Sequence, residues 1–443
     1  MSSIPASASP SSRLERLPLE IAQAVLASLD DTISLLHAAL TGPFLFNVLR
    51  SAEESITTQV LVNQLSPTLI HDALIVQESA PYRKGDRSHD QVIELIGRYV
   101  EGMRTSVTPS SSMRWTLSKA LPLAEFHGKI ELLSSRLVSE ALSSNPASRR
   151  PDPSPVPPSK GEIHRIQRAI YRLEIYCNIF WDRSSFTFEE CNRQNLAFFA
   201  CFSPWENEQI ACIRDYIFKI LTSVFKSAAL DDLNWLIYFT HRRLDNSFLE
   251  HQLHHGISHI THLLTSKPRY RPLPLSSPSS ASPFPPPGRS PTTNTNRTQP
   301  TRAINLLTTD LENVYVDLER HERWDLSKRL LAVYDSADEK QYIPAPVTPD
   351  ADSGPEEVWR WAHDLEPVMY FVAAYGQAPL RGWGYVFWDL WRLEQWGVFR
   401  KDWERVEIGV LVEEEARGMR EFEERLERRA RREGIMIKDI RVR

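Results

Sequence analysis

Glycine is scarce in this chain, with 16 residues in 443, about half the usual share of roughly 7%. That argues against folds built on glycine-rich phosphate loops, and no phosphate loop, dinucleotide fingerprint or nucleophile elbow occurs anywhere. An excess of one charge is missing too. Lys and Arg number 52 against 57 Asp and Glu, a formal net charge of −5, so no general attraction to nucleic acid or to an anionic membrane follows. Long apolar runs are absent. The richest short one, LAFFACF at 196–202, falls far below the ~20 residues that span a bilayer. The opening MSSIPASASPSS lacks the charged-then-apolar pattern of a signal peptide. Cysteine is limited to Cys177, Cys191, Cys201 and Cys212, with no C-x-x-C spacing, and these read as reduced core residues rather than disulfides or zinc ligands. The expectation is a cytoplasmic or nuclear protein with no cofactor, and no membrane or nucleic-acid partner.

What the sequence has in quantity is helix signals. A capping box places Ser at the N-cap and Glu or Gln three residues on, so each satisfies the other's free backbone N–H. The pattern occurs at Ser51/Glu54, Ser88/Gln91, Ser159/Glu162, Ser203/Glu206 and Ser247/Glu250. Pro204 strengthens the fourth, and Ser66–Pro67 makes a similar start. Behind the caps run apolar stripes of helical period: Ile163, Ile166, Ile170, Leu173, Cys177 and Phe180 in one segment, Ile304, Leu307, Leu311, Val314 and Leu318 in another. No sustained period-two alternation appears. The fold class is all-α.

Composition divides the chain. Residues 1–12 read as a disordered tail, 13–50 as a small helical module and 51–142 as a helical region. Residues 143–160 read as a disordered linker, 161–264 as a central helical region and 265–302 as a second, Pro/Ser-rich disordered linker. Residues 303–403 form a Trp-rich helical region, 404–433 a charged helix and 434–443 a tail, with 335–355 a weaker loop. Ser154–Pro155, Ser277–Pro278, Ser282–Pro283 and Ser290–Pro291 have the form of proline-directed phosphorylation sites.

RLPLEIAQAVLASLDDTISLLHAAL, residues 16–40, carries apolar residues around more of its first helix than one core requires. At 100° per residue, Leu17, Ile21, Ala24, Val25 and Ser28 fall together, and Leu19, Ala22, Leu26 and Leu29 form an adjoining sector. The two sectors cover roughly 220°, against the ≳100° a surface helix needs. The pattern LPLEI…VLASLDD…SLLHAALT resembles an F-box. That resemblance implies a compact helical docking module that binds the Skp-type adaptor of a cullin-RING ubiquitin ligase, with Leu17, Pro18, Ile21, Leu29 and Leu35 as adaptor contacts. ITTQVLVNQLSP, EIHRIQRAIYRLEIYCNIF, FFACFSPWENEQIACIRDYIF and RGWGYVFWDLWRLEQWGVF are similar to segments of an uncharacterised filamentous-fungal F-box-like family. The alternative reading has both apolar sectors buried by the chain's own later helices.

Other clusters carry weaker chemistry. HQLHHGISHITH, residues 251–262, holds five of the thirteen histidines. His251, His255, His259 and His262 line one side of a helix, which reads as a polar face, with a metal site at His251, His255 and His259 as the alternative. Glu206, Glu208 and Asp215 invite an acid–base reading, but Glu206 and Glu208 already suit a helix start. Arg165, Arg168 and Arg172 make a basic row opposite an apolar stripe, read as a solvated face paired with carboxylates. Seven of the twelve tryptophans fall between 359 and 403. They read as core, with Trp383, Trp388, Trp391 and Trp396 as the place for partner recognition if there is one. The leading expectation is a non-catalytic adaptor subunit that holds an unknown protein substrate. A helical scaffold is second, and a histidine-dependent metalloenzyme third.

Overall fold

The computed structural model describes residues 13–84, 87–104, 114–143, 145, 156–180, 186–199, 202–231, 233, 236, 246–266, 350–364, 378–400 and 404–435. Every regular element among them is helical. The N-terminal part holds α1 (Leu19–Ala27), α2 (Thr32–Leu40), α3 (Pro43–Ser51), α4 (Glu53–Leu65), α5 (Ile70–Ser79), α6 (His89–Arg104) and α7 (Leu117–Ala141). Then come α8 (Lys160–Phe180), α9 (Phe188–Phe199), α10 (Pro204–Asp231), α11 (Asn246–His254) and α12 (Ile257–Thr265). The last group is α13 (Gly354–Asp364), α14 (Ala378–Trp383), a 3-10 turn (Tyr385–Phe387), α15 (Leu390–Gln395) and α16 (Glu404–Arg432). Among the described residues no helix is long and apolar enough to cross a membrane.

Two capping boxes form as the spacing predicts. Gln91 N–H donates to Ser88 Oγ and Ser88 N–H to Gln91 Oε1, and Ser159 and Glu162 exchange the same pair. At Ser203 both the N–H and the hydroxyl donate to Glu206. A further full box, Thr187 with Glu190, opens α9. Ser51 caps nothing: it ends α3, its hydroxyl donates to Val48 O, and α4 starts after Ala52 without a side-chain cap. Nor does Pro67 open a helix. Ser66 ends α4 at φ 63°, and α5 begins at Ile70. Glu250 lies outside the residues whose side chains are described.

Helix α8 runs through the middle of the body. From Arg165 to Phe180 every residue is buried, against α5, α7, α10, α11 and the 385–387 turn. A helix buried all round must satisfy its polar side chains internally. One large core joins residues of α4–α13 to Tyr385, Val386, Phe387, Trp388, Leu393 and Trp396, and to Leu426 and Ala430 of α16. The regions on either side of the expected linker at 265–302 therefore share one interior. That linker lies outside the description from residue 267 on, as do 1–12, 303–349 with the Ile304–Leu318 stripe, and 436–443.

A second, smaller core belongs to the N-terminal module: Ala22, Leu26, Leu35, Ala39, Val48, Leu49, Ile56 and Val60. Ile56 and Val60 belong to α4, so this core crosses the boundary expected at residue 50. From the very next residue, Leu61 and then Leu65 of the same helix enter the large core. One continuous helix thus mounts the module on the body, and α2 and α4 also pack on α7.

Candidate functional site

Local chemistry fixes the first three helices. Pro18 precedes α1 with extended backbone angles. Asp31 caps α2 by accepting the Ser34 N–H at 2.7 Å and the Ser34 hydroxyl at 2.6 Å, and those bonds hold its carboxyl below the usual range. Pro43 takes the first position of α3, where its missing N–H costs nothing. Asn63 of α4 donates to Ala27 O and Leu29 O, and Gln64 accepts from Thr32 N–H and Oγ1. The joint between α1 and α2 is thereby tied to α4.

The two sectors of α1 separate from Ile21 onward, while Leu19, the first member of the inner sector, stays exposed. Ala22 and Leu26 point into the small core, and Leu29 is half-buried against it. Ile21, at 50% exposure, and Val25 point out, with Leu14, Leu17 and Leu19 exposed nearby in the chain. On α2 Ile33 is exposed and Leu40 is 70% exposed, and on α3 Phe46 is exposed. Of thirteen exposed large apolar side chains among the described residues, eight fall between Leu14 and Phe46. Apolar side chains scattered singly over a surface need no explanation, but a concentration of this size in one stretch of chain does.

Of the five contacts implied by resemblance, Leu17, Pro18 and Ile21 are exposed and Leu29 is half-buried. Leu35 must be corrected. It is 0% exposed, because Leu35 and Ala39, four apart, form the inward stripe of α2. The outward residues of α2 are Ile33 and Leu40. Their seven-residue spacing places them on one face, a relation already present in the sequence.

The tryptophan region is mostly interior. Trp388 and Trp396 are buried, and Trp383 is half-buried, its indole N–H donating to Ala141 O at 3.1 Å. As recognition residues Trp388 and Trp396 are therefore corrected to core. Trp391 is 41% exposed, with the Arg392 guanidinium carbon 4.6 Å from its ring centre. Trp403 lies outside the described residues.

The arginine row is not solvated either. Arg165 grips Asp350 with two nitrogens, at 2.5 and 2.8 Å, and reaches Asp389 at 2.7 Å and Phe387 O at 2.9 Å. Arg172 binds Glu206 at 2.8 Å and lies 4.2 Å from the centre of the Phe202 ring. Arg168 is buried at 4.0 Å from Glu206. Burial alone would raise the Glu206 pKa, but Arg172 and Arg168 outweigh it and hold the carboxyl at about 2. Glu208 pairs with Arg381 at 2.8 Å, and Asp215 with Arg214 at 2.7 Å. The acidic trio is engaged in ion pairs rather than placed at a free surface. Two expected loops are likewise anchored at their ends: Arg392 donates to Val156 O and Pro157 O, and Arg165 holds Asp350.

The histidine segment is broken. Gly256, at φ 84°, separates α11 from α12. The His251 and His255 ring centres lie 4.8 Å apart, as do those of His255 and His259, and His262 is exposed. Burial, reinforced by neighbouring histidines and Arg83, lowers His255 to about 3 and His259 to about 4. Among the described residues no group of three or more His, Cys, Asp or Glu side chains is placed to hold a metal ion. Cys177, Cys191 and Cys212 are buried and outside any disulfide, and Cys201 lies outside the description.

No family model matches the chain, and neither the curated proteins nor the solved structures hold a significant match.

Proposed function

We propose that this chain is a non-catalytic interaction subunit, an F-box-type adaptor. Its N-terminal module docks the Skp-type adaptor of a cullin-RING ubiquitin ligase, and its helical body holds a protein substrate. The observation that carries the reading is the outward face of α1, where Ile21 and Val25, with Leu17 just before the helix, remain exposed after the module has built its own core from Ala22 and Leu26. The rigid mount supports it. A ligase adaptor works by position, holding a target lysine near a ligase-bound ubiquitin carrier. The shared helix α4 gives the module a fixed bearing on the body.

The second reading, a helical scaffold that never meets the ligase, draws on the burial of Leu35 and the partial burial of Leu29. Co-purification of the full chain with a Skp-type adaptor separates the two. Binding that is lost in a folded Leu17→Ala/Pro18→Ala variant supports the ligase reading; no binding by the unmodified chain leaves the scaffold.

A further inference from the structure

Ser28 caps the carboxyl end of α1, and its hydroxyl donates to Val25 O at 2.8 Å. It is exposed and stands seven positions after Ile21, on the same side of the helix as Ile21 and Val25. From Ser28 to Asp31 the backbone is outside any helix. Asp30 and Asp31 follow at the second and third positions, and Asp31 is held ionised by Ser34. An accessible serine in a joint, followed by two carboxylates, is what acid-directed serine kinases select through basic substrate channels. The four Ser–Pro pairs with the form of proline-directed sites, at Ser154, Ser277, Ser282 and Ser290, belong to a different kinase class and lie outside the described residues.

We propose that Ser28 is a phosphorylation site and that its modification releases the partner from the apolar face. The second half rests on the docking reading above. In the transfer, Ser28 Oγ forms a bond to the γ-phosphorus of ATP as the bond to the bridging oxygen breaks. ADP leaves, and the hydroxyl proton passes to the base of the kinase. The product carries roughly −1.5 to −2 charges at pH 7. It stands at the helix end where free carbonyls already concentrate negative charge, beside Asp30 and Asp31. The last turn of α1 holds no basic residue to offset it. A partner covering Ile21 and Val25 would have to strip water from that dianion.

The test treats the full-length chain with an acid-directed serine kinase and ATP–Mg²⁺, maps the phosphate by mass spectrometry, and measures affinity for a Skp-type adaptor before and after. The expected result is phosphate on Ser28 and an affinity loss of roughly tenfold or more, reversed by phosphatase. In Ser28→Ala chain, treated and untreated samples should bind alike. Absence of phosphate at Ser28 overturns the proposal, and so does a phosphorylated chain that binds undiminished. If the untreated chain fails to bind at all, the docking reading falls and takes the regulatory half with it, while the mapping still decides whether Ser28 is an acceptor.

Discussion

Glu162 and Arg392, 230 positions apart, are joined by two hydrogen bonds of 2.7 and 2.9 Å at a site where neither is more than 1% exposed. Glu162 also accepts the Asp389 N–H at 3.0 Å and closes the cap of α8 through Ser159. One carboxylate thus starts the central helix and holds the tryptophan unit against it. Removing one partner of a buried pair leaves the other charge uncompensated, at a cost of about 3–5 kcal/mol. Glu162→Gln should lower the urea unfolding free energy by an amount in that range. A change below about 1 kcal/mol, the size of an exposed pair, would show that water reaches the site.

The same contacts predict what happens when the connection between Ser266 and Asp350 is cut. Arg165 with Asp350 and Asp389, Glu162 with Arg392, and Glu208 with Arg381 all cross between the two parts, around the buried Tyr385, Val386, Phe387 and Trp388. A chain nicked at a protease site inserted near residue 300 should elute as one species in native gel filtration and separate only in denaturant. Two native peaks would mean that covalent continuity, not this interface, holds the parts together.

Gly256 stands where no side chain fits. Its φ is 84°, and a Cβ there would meet the Arg83 guanidinium and lie 2.6 Å from Glu174 Oε2. Glu174 accepts from Arg83 and from the Ile257 N–H, while Arg83 also donates to His255 O. Gly256→Ala adds left-handed strain to a disrupted, largely buried ion pair, a loss of about 3 kcal/mol or more. Thermal melting of the variant checks this, and an unchanged midpoint would refute it.

Acid should weaken the fold before the carboxylates titrate. Burial lowers His127 to about 4, His255 to about 3 and His259 to about 4, with nearby cationic or histidine groups adding to each. An imidazole in the unfolded chain titrates near 6.5. Below that value the unfolded state takes up protons that the folded state refuses, so stability is lost as pH falls from about 6.5 toward 4. Between pH 7 and 5 the loss is roughly 2 kcal/mol for His127 alone, and His255 and His259 add smaller, partly screened amounts. Glu206, held at about 2, withdraws its contribution only as pH drops below the ordinary carboxylate range. Urea titrations at pH 7 and 5 should therefore differ, and less so in His127→Gln. Equal stabilities at the two pH values would sink the argument.

How much of this was legible depended on whether the partner was local. Ser88 with Gln91 and Ser159 with Glu162 sit three residues apart, and their spacing alone places two helix starts. Thr187 with Glu190 has the same form and was there to be read. Ser51 failed because its hydroxyl found Val48 O within its own helix. Helical period gave α8 one apolar stripe, and the arginines fell on the side assumed to be wet. What buries Arg165 and Arg172 comes from Asp350, Asp389, Glu206 and Asp72, each 34 to 224 positions or so away in the chain, and no local window contains them. The histidine row persists across a break that helical period does not show: Gly256, a residue suited to positive φ, interrupts the helix, yet His251, His255 and His259 still follow one another at 4.8 Å.

Inward and outward apolar residues of the module should answer differently to substitution. Leu35 fills the small core at 0% exposure, and Leu35→Ala should cost about 2–5 kcal/mol of stability through lost burial and a cavity. Ile21 is half in water already, so Ile21→Asp should change stability by no more than about 0.5 kcal/mol, as surface substitutions do. If the outward sector is the docking face, the same substitution should weaken adaptor binding by about 2 kcal/mol, roughly 30-fold. Leu35→Ala, measured where it is still folded, should bind with nearly unchanged affinity per folded molecule. Unfolding curves and calorimetric titration on both variants give the four numbers. The division fails if Ile21→Asp destabilises the chain as much as Leu35→Ala, because Ile21 would then belong to the interior and the face would have no free surface to offer.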